Sequence, residues 1–180
     1  MLQPLSLQRN QYRVHAFGPE DLKRYDALVQ DIFEILSDER TLKYLPGKRL
    51  DSIEAAGHFL KAIVLNYHSR INYLHFITEI SSNRVIGMID LISPKLASEH
   101  YDFAPNPHFI EFYLAGELTG CNIMTDLLPE VIENLLAQQI KIGAVVHREN
   151  LAARRVLEKA SFSYSKKFDP VQDYFEIIDT

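Results

Sequence analysis

The stretch FYLAGELTGCNIMTD, from Phe112 to Asp126, begins like a strand and ends like the first turn of a helix. Two glycines and small polar residues lie between, and Glu117 is the one charge before Asp126. The first main-chain N–H groups of a helix have no partners within the helix, and the helix dipole places partial positive charge there. A loop with little side-chain bulk lets a phosphate reach those groups. The stretch therefore predicts either a plain chain reversal or an anion-binding helix N-terminus.

A basic segment further along the chain supports the second interpretation. Seven Lys and Arg residues and only two Glu residues lie between Lys141 and Lys167, although the whole chain has a net charge of −5. Such a segment in an acidic protein indicates either an anion-binding surface or a solvated helix face. The overall negative charge disfavours a general nucleic-acid binder, so no nucleic-acid partner is expected.

Composition indicates the broad class of protein. The chain has 180 residues, of which 47% are hydrophobic and 24% charged, which is ordinary for one globular domain spanning residues 1–180. The single cysteine, Cys121, excludes an internal disulfide framework and fits a reducing compartment. No apolar run approaches the roughly 20 residues of a membrane span, and the N-terminus lacks the apolar core of a secretory signal. We therefore expect a cytoplasmic protein without a membrane partner. The seven histidines show no metal-ligand spacing, so no metal is expected.

The elements that must position the loop follow from periodicity and capping signals. YRVHAF predicts a strand, and apolar residues from Leu22 to Leu36 at spacings of three and four predict an amphipathic helix. Asp51 with Glu54 predicts the start of the next helix. The later elements are strands at NYLHFITEI, VIGMIDLIS, HFIEFYLA and IKIGAVVH, a loop at Pro94–Pro107, helices at Ile123–Gln139 and RENLAARRVLEKA, and a closing hairpin, SFSYSKKF with DYFEII.

This order predicts an α/β protein with a mixed sheet of six or seven strands covered by helices. The strand–helix–strand unit from Phe109 to Val146 should form a right-handed parallel crossover.

At this point the sequence resembles a known family, the GNAT N-acetyltransferases, and in particular its RimJ/RimL-like branch. HRENLAARRVLEKASF is similar to the closing segment of that branch, although Ser161 replaces a glycine. IEFYLAGELTGCNIMTD aligns without gaps to its strand–loop–helix, and VIGMIDL is similar to the preceding strand. The matching residues are Ile110, Leu114, Glu117, Gly120, Met124, Thr125, Asn150, the run Val156–Lys159 and Phe162.

The resemblance implies the GNAT fold, in which the fourth and fifth strands splay apart, and acetyl-coenzyme A as the co-substrate. The loop after the fourth strand would hold the pyrophosphate, and the pantetheine amides would pair with exposed strand backbone. The residues implied in cofactor binding are Leu114, Thr119, Gly120, Cys121, Asn122, Ile123, Met124, Asn150, Arg154 and Arg155.

The loop departs from the family pattern at Asn122, which stands where the central glycine is expected. An Asn at a helix start can cap its own helix and occupy the N–H groups that a phosphate needs. It can also adopt the positive φ that a glycine supplies. The phosphate site is therefore open, weakened or closed, depending on which of these Asn122 does.

Acetyl transfer to an amine needs a base for the ammonium proton, a donor for the developing oxyanion and an optional acid for the leaving thiolate. The family often supplies the acid from its last helix, but Ala153 and Leu157 hold those positions here. The candidate base is Glu111, with His147 second, and the nearest hydroxyl acid is Tyr113. Each also has a purely structural interpretation: Glu111 as a structural or solvated carboxylate, His147 as a loop histidine without a role, and Tyr113 as a packed side chain.

Three functions remain open. The first is an N-acetyltransferase acting on a protein N-terminus or a small-molecule amine. The second is a degenerate GNAT-fold module that binds coenzyme A or a protein partner without turnover, which the residues at 122, 153, 157 and 161 favour. The third is a scaffold without cofactor. Self-association into a homodimer is also left open.

Overall fold

The computed structural model of the protein describes residues 2–100 and 107–177. These residues form two compact units. The first unit comprises Pro4–Asp90 and Phe112–Thr119, and the second comprises the described residues of 1–3, 91–111 and 120–180. The expectation of one domain over residues 1–180 stays a prediction.

Eight strands and seven α-helices occupy the described residues. The strands are β1 (Ser6–Arg9), β2 (Tyr12–His15), β3 (Asn72–Glu79), β4 (Arg84–Ile92), β5 (His108–Leu114), β6 (Ile142–His147), β7 (Phe162–Lys167) and β8 (Gln172–Ile177). The helices are α1 (Pro19–Lys23), α2 (Tyr25–Ser37), α3 (Glu39–Leu42), α4 (Ile53–His68), α5 (Pro94–His100), α6 (Ile123–Ala137) and α7 (Leu151–Lys159). Short 3-10 helices lie at Pro46–Lys48 and Gly116–Leu118.

The first unit is built on antiparallel strands. β1 pairs with β2, and β2 pairs with β3. Helices α2 and α4 pack their apolar stripes against this sheet, as the three- and four-residue spacing predicts. The core between them contains Leu28, Ile32, Leu36, Ala56, Leu60, Leu74, Phe76, Met88 and Tyr113.

The second unit contains the start of β5 together with α6 and β6. β5 and β6 are parallel and are joined through α6, while β8 pairs antiparallel with β6 and with β7. Gly143 in β6 lies against the ring of Tyr174 in β8, where a Cβ would come within 2.5 Å of a ring carbon. Burial raises the pKa of Tyr174 to about 12, so this ring stays neutral.

Hydrogen bonding orders the strands β1-β2-β3-β4-β5-β6-β8-β7 in one mixed sheet, which confirms the predicted α/β class. The sheet has eight strands rather than six or seven, because Ser6–Arg9 pairs with Tyr12–His15. Three of the four β1 residues are exposed, so the sequence shows no alternating apolar pattern that would reveal this strand.

Two local predictions were wrong. The stretch predicted as a loop begins with helix α5, because Pro94 suits a first helical position and the Ser93 hydroxyl accepts a hydrogen bond from Leu96 N at 3.2 Å. Residues 101–106 of that predicted loop lie outside the described residues. Helix α4 is capped by Ser52, whose hydroxyl accepts from Ala55 N at 3.0 Å, and not by Asp51.

In the described part of the chain, no helix combines the length and apolar character that a membrane crossing requires.

Candidate functional site

Strands β5 and β6 part soon after they begin. Their ladder has two residue pairs, His108 with Ile142 and Phe109 with Gly143, and His108 N donates to Lys141 O at 2.9 Å. β5 nevertheless continues to residue 114. β6 stays paired with β8 as far as residue 147, so its own end does not cause the separation. The predicted splay of these parallel neighbours is therefore confirmed.

The loop that leads into α6 has two left-handed residues, Gly120 with φ +86° and Asn122 with φ 59°. Asn122 is the N-cap residue of α6, and its side chain makes no capping hydrogen bond there. The first main-chain bond of the helix runs from Asp126 N to Asn122 O at 3.0 Å. The main-chain N–H groups of the first turn, from Ile123 onwards, thus have no acceptor within the helix. They also donate no hydrogen bond to the Asn122 side chain.

Asn122 therefore does what the missing glycine would do. Asn adopts the left-handed region more readily than other side-chain-bearing residues, because its short polar side chain tolerates it. A Cβ placed on Gly120 would meet nothing within 4 Å, and Gly120, Cys121 and Asn122 are all exposed. An open loop at the N-terminus of a 15-residue helix fits a phosphate group.

The two candidate arginines of α7 have different surroundings. Arg154 Nη1 lies 3.6 Å from the buried Asp173 Oδ2, and its guanidinium carbon lies 5.5 Å from the centroid of the Phe175 ring. Asp173 also accepts from Arg148 Nε at 2.7 Å. Arg155 is exposed on the helix. Of the two side chains, Arg155 is the more accessible to an anion, because Arg154 is held by an ion pair and a ring.

Asn150 caps α7, as its place in the sequence predicts. Its Oδ1 accepts a hydrogen bond from Ala153 N at 3.1 Å. Leu157 is buried with 1% exposure, and Ala153 is half-buried. The last helix thus offers no hydroxyl at either position from which a relative would supply an acid.

The three candidate catalytic residues differ in what they touch. Glu111 is half-buried in β5. Tyr113 is 5% exposed and belongs to the core of the first unit, where its hydroxyl donates to Met88 Sδ at 3.8 Å. This contact favours a packing role for Tyr113. His147 is half-buried at the end of β6, and its Nδ1 accepts from Glu149 N at 3.2 Å.

That hydrogen bond bears on the choice of base. In a neutral imidazole one ring nitrogen accepts and the other carries the proton. Because His147 Nδ1 accepts, a neutral His147 ring carries its proton on Nε2. In this neutral form, the one accepting ring nitrogen of His147 is already occupied by the Glu149 N–H group.

The end of β5 and the residues after it are held within the first unit. The Leu114 carbonyl accepts from Thr41 Oγ1 at 3.0 Å, and Ala115 N donates to Ile86 O at 2.8 Å. Thr119 is exposed and its N–H donates to Gly116 O at 3.3 Å.

Thr41 and Asp173 are absent from the candidates that the sequence suggested. Their partners lie far along the chain, and no local pattern marks them.

Among residues 2–100 and 107–177, no group of three or more His, Cys, Asp or Glu side chains is arranged to hold a metal ion.

Comparisons with known proteins agree with this geometry. The sequence model of the acetyltransferase (GNAT) domain matches residues 21–163. No curated protein sequence matches the chain.

Several solved structures share the fold. The ribosomal-protein-S5-alanine acetyltransferase from Vibrio fischeri has a TM-score of 0.70 at 16% identity, over 96% of this chain and 94% of that one. RimL, a ribosomal L7/L12 alpha-N-protein acetyltransferase solved in complex with coenzyme A, has a TM-score of 0.70 at 14% identity, over 95% and 96%. A spermidine N-acetyltransferase chimera from Vibrio cholerae SpeG and hSSAT has a TM-score of 0.63 at 15% identity, over 94% and 96%.

The domain match covers well over half of the chain, and the open helix N-terminus follows a strand that parts from its parallel neighbour. The chain therefore belongs to the GNAT acetyltransferase family and is an acyltransferase.

Proposed function

We propose that this protein transfers an acetyl group from acetyl-coenzyme A to a primary amine, and that it belongs to the RimJ/RimL-like branch. The acceptor is a protein N-terminus or a small-molecule amine. The resemblance of Ile110–Phe162 to that branch supports this proposal. Fold-level likeness to ribosomal-protein and spermidine acetyltransferases is compatible with both kinds of acceptor.

The conformation of Asn122 carries the proposal. A side chain that capped α6 would compete with a phosphate for the same N–H groups, and this side chain does not cap it. We assign the pyrophosphate to the main chain of Gly120–Met124, including Cys121 and Ile123, with the exposed Arg155 as the proposed cation. Main-chain N–H groups at a helix start bind anions through directed hydrogen bonds and the helix dipole.

The splay beyond Phe109 supports a place for the pantetheine arm. A strand edge that has lost its neighbour presents main-chain N–H and C=O groups without ladder partners. Amides of the arm can pair with such an edge, as a further strand does. Leu114 ends this strand, Thr119 follows the 3-10 helix after it, and Asn150 caps the helix after β6.

Acetyl-coenzyme A supplies an activated acyl group whose thiolate leaves without full protonation. The chain's own task is to bind it, orient the amine and remove the ammonium proton. Glu111 is the proposed base, since a carboxylate can take that proton and His147 Nδ1 already accepts a hydrogen bond. No acid from α7 is proposed, because Ala153 and Leu157 carry no transferable proton. A slow enzyme is therefore expected.

Two separate measurements test the proposal. Isothermal titration calorimetry measures coenzyme A binding, and release of free thiol from acetyl-coenzyme A measures turnover. The acceptors should be peptides with free N-termini, the same peptides with blocked N-termini, polyamines and aminoglycosides. Thiol release with a free amine but not with its blocked counterpart is the expected result. Absence of binding at millimolar coenzyme A would overturn the cofactor assignment.

Tight binding without turnover on any acceptor would favour the degenerate binding module over catalysis. The expectations of a single domain, a cytoplasmic location and a homodimer are separate from this test. Unfolding in one cooperative transition would check the single domain. Cell fractionation checks the location, and sedimentation equilibrium checks the homodimer.

A further inference from the structure

The end of β5 carries a hydrogen bond that lies on the edge away from β4. Main-chain groups of successive strand residues point to opposite edges. Ala115, directly after β5, donates its N–H to Ile86 O, and Tyr113 O lies next to Gly87, so these two residues point to β4. His108 N donates instead to Lys141 O, so even-numbered residues point to the other edge. The Leu114 carbonyl therefore lies on that other edge, where Thr41 Oγ1 donates to it at 3.0 Å.

This edge is the one along which the ladder to β6 stops after Phe109. A strand end without a neighbour on one side lacks the hydrogen bonds that would fix its position there. The Thr41 hydroxyl supplies one such bond and leaves the second lone pair of the Leu114 carbonyl for another donor.

Thr41 is itself held firmly in place. It lies in α3, whose N-cap residue is Asp38, and Asp38 Oδ1 accepts from Arg40 N at 2.7 Å. Leu42 of the same helix is 3% exposed in the core of the first unit. Gly116 lets α3 approach the turn after β5, because a Cβ there would lie 2.7 Å from Asp38 Oδ1 and 2.8 Å from Arg40 Cβ. Contacts of this length force a neighbour to move.

We propose that Thr41 is a positioning residue for the pantetheine arm of the cofactor. Its hydroxyl fixes the Leu114 carbonyl at the end of the strand edge along which that arm lies. The inference rests on the proposed function, since it needs an arm on this edge. It adds a residue from α3, more than 70 positions before the cofactor loop, to those that decide cofactor affinity.

The test compares ligands with and without the arm. Coenzyme A carries pantetheine, and adenosine 3′,5′-bisphosphate lacks it. Thr41→Val removes the hydroxyl at nearly constant shape, and Thr41→Ser keeps the hydroxyl. Calorimetry should show that Thr41→Val weakens coenzyme A binding by about three- to tenfold, which is the value of one neutral hydrogen bond. Binding of the bisphosphate should change by less than about twofold, and Thr41→Ser should match the unmutated protein on both ligands.

Equal losses on both ligands would overturn the inference, since they would show a general structural role. No loss on either ligand would also overturn it. If Thr41→Val does not fold, Thr41→Ala compared with Thr41→Ser decides the question by the same criteria.

Hydrogen exchange separates this inference from the proposed function. In the unliganded protein, Thr41→Val should speed exchange of the Ala115 amide, because the strand end has lost an anchor. Unchanged exchange would overturn the anchoring step whether or not a cofactor binds. An unmutated protein that binds neither ligand would overturn the proposed function instead.

Discussion

The backbone conformation of Asn122 should decide cofactor affinity, and its side chain should matter little. Asn122 has φ 59° and ψ 6° and makes no side-chain cap, so Asn122→Gly keeps the loop conformation and removes nothing that α6 uses. We expect coenzyme A affinity to stay within about threefold, since Gly and Asn both visit this region routinely. Asn122→Ala should behave differently, because a Cβ without a compensating polar group disfavours the left-handed region by about 1–2 kcal/mol.

That free energy converts into a measurable affinity. At 1.4 kcal/mol for each tenfold change, a loop biased away from its binding conformation should lose about five- to thirtyfold in coenzyme A affinity. Titration calorimetry of the unmutated protein, Asn122→Gly and Asn122→Ala, at one pH and salt concentration, measures their coenzyme A affinities. Asn83 offers a matched control, since it is also left-handed, with φ 55°, in the turn between β3 and β4. Asn83→Ala should lower the melting temperature about as much as Asn122→Ala does, because both remove a left-handed Asn. It should leave coenzyme A affinity unchanged.

Two outcomes would refute this reasoning. A tenfold or greater gain on Asn122→Gly would mean that the side chain does obstruct the N–H groups of α6. Equal affinity for Asn122→Ala and the unmutated protein would mean that the left-handed conformation is not needed for binding.

Three further changes address the base, a buried ion pair and acid stability. Glu111→Gln should lower turnover at least about tenfold while coenzyme A affinity stays within a few-fold, and undiminished thiol release would remove Glu111 from the mechanism. Asp173→Ala should lower the free energy of unfolding by about 1.5–3 kcal/mol, because Arg148 loses a charge-assisted hydrogen bond of 2.7 Å; a denaturation midpoint within error of the original would contradict this. Burial lowers the pKa of His75 to about 4, so the folded protein binds its proton less readily than the unfolded chain. Stability should therefore fall as pH drops from about 6.5 towards 4, and His75→Gln should flatten that part of the urea-melt profile; an identical slope would exclude His75 as the cause.

Elements with local signals were predictable from the sequence. Apolar spacing marked α2 and α4, and the Asn150 cap marked the start of α7. β1 was missed because its exposed residues carry no alternation, and α5 was missed because its seven residues are too few to show periodicity. Chain order and the resemblance together gave the parallel crossover and the splay, because a strand–helix–strand unit has one preferred hand.

The candidate site also has a part with a local sequence signal and a part without one. A helix N-terminus after a strand is a local feature, so the loop at Gly120–Met124 could be identified from sequence. The state of Asn122 could not, because a self-capping Asn and a left-handed Asn are alternatives of similar free energy at a helix start.

The sequence could not predict the roles of side chains whose partners lie far away along the chain. Arg154 and Arg155 are adjacent in the chain, but Asp173 and Phe175 of β8 contact Arg154, while Arg155 stays exposed. Tyr113 is the clearest case: alternation places it on one face of β5, but the core of the first unit directs its hydroxyl to a sulfur atom. The proposed phosphate contacts therefore lie in one contiguous loop, Gly120–Met124. The proposed base, by contrast, depends on the packing of side chains that lie far apart in the chain, so the turnover of Glu111→Gln decides it.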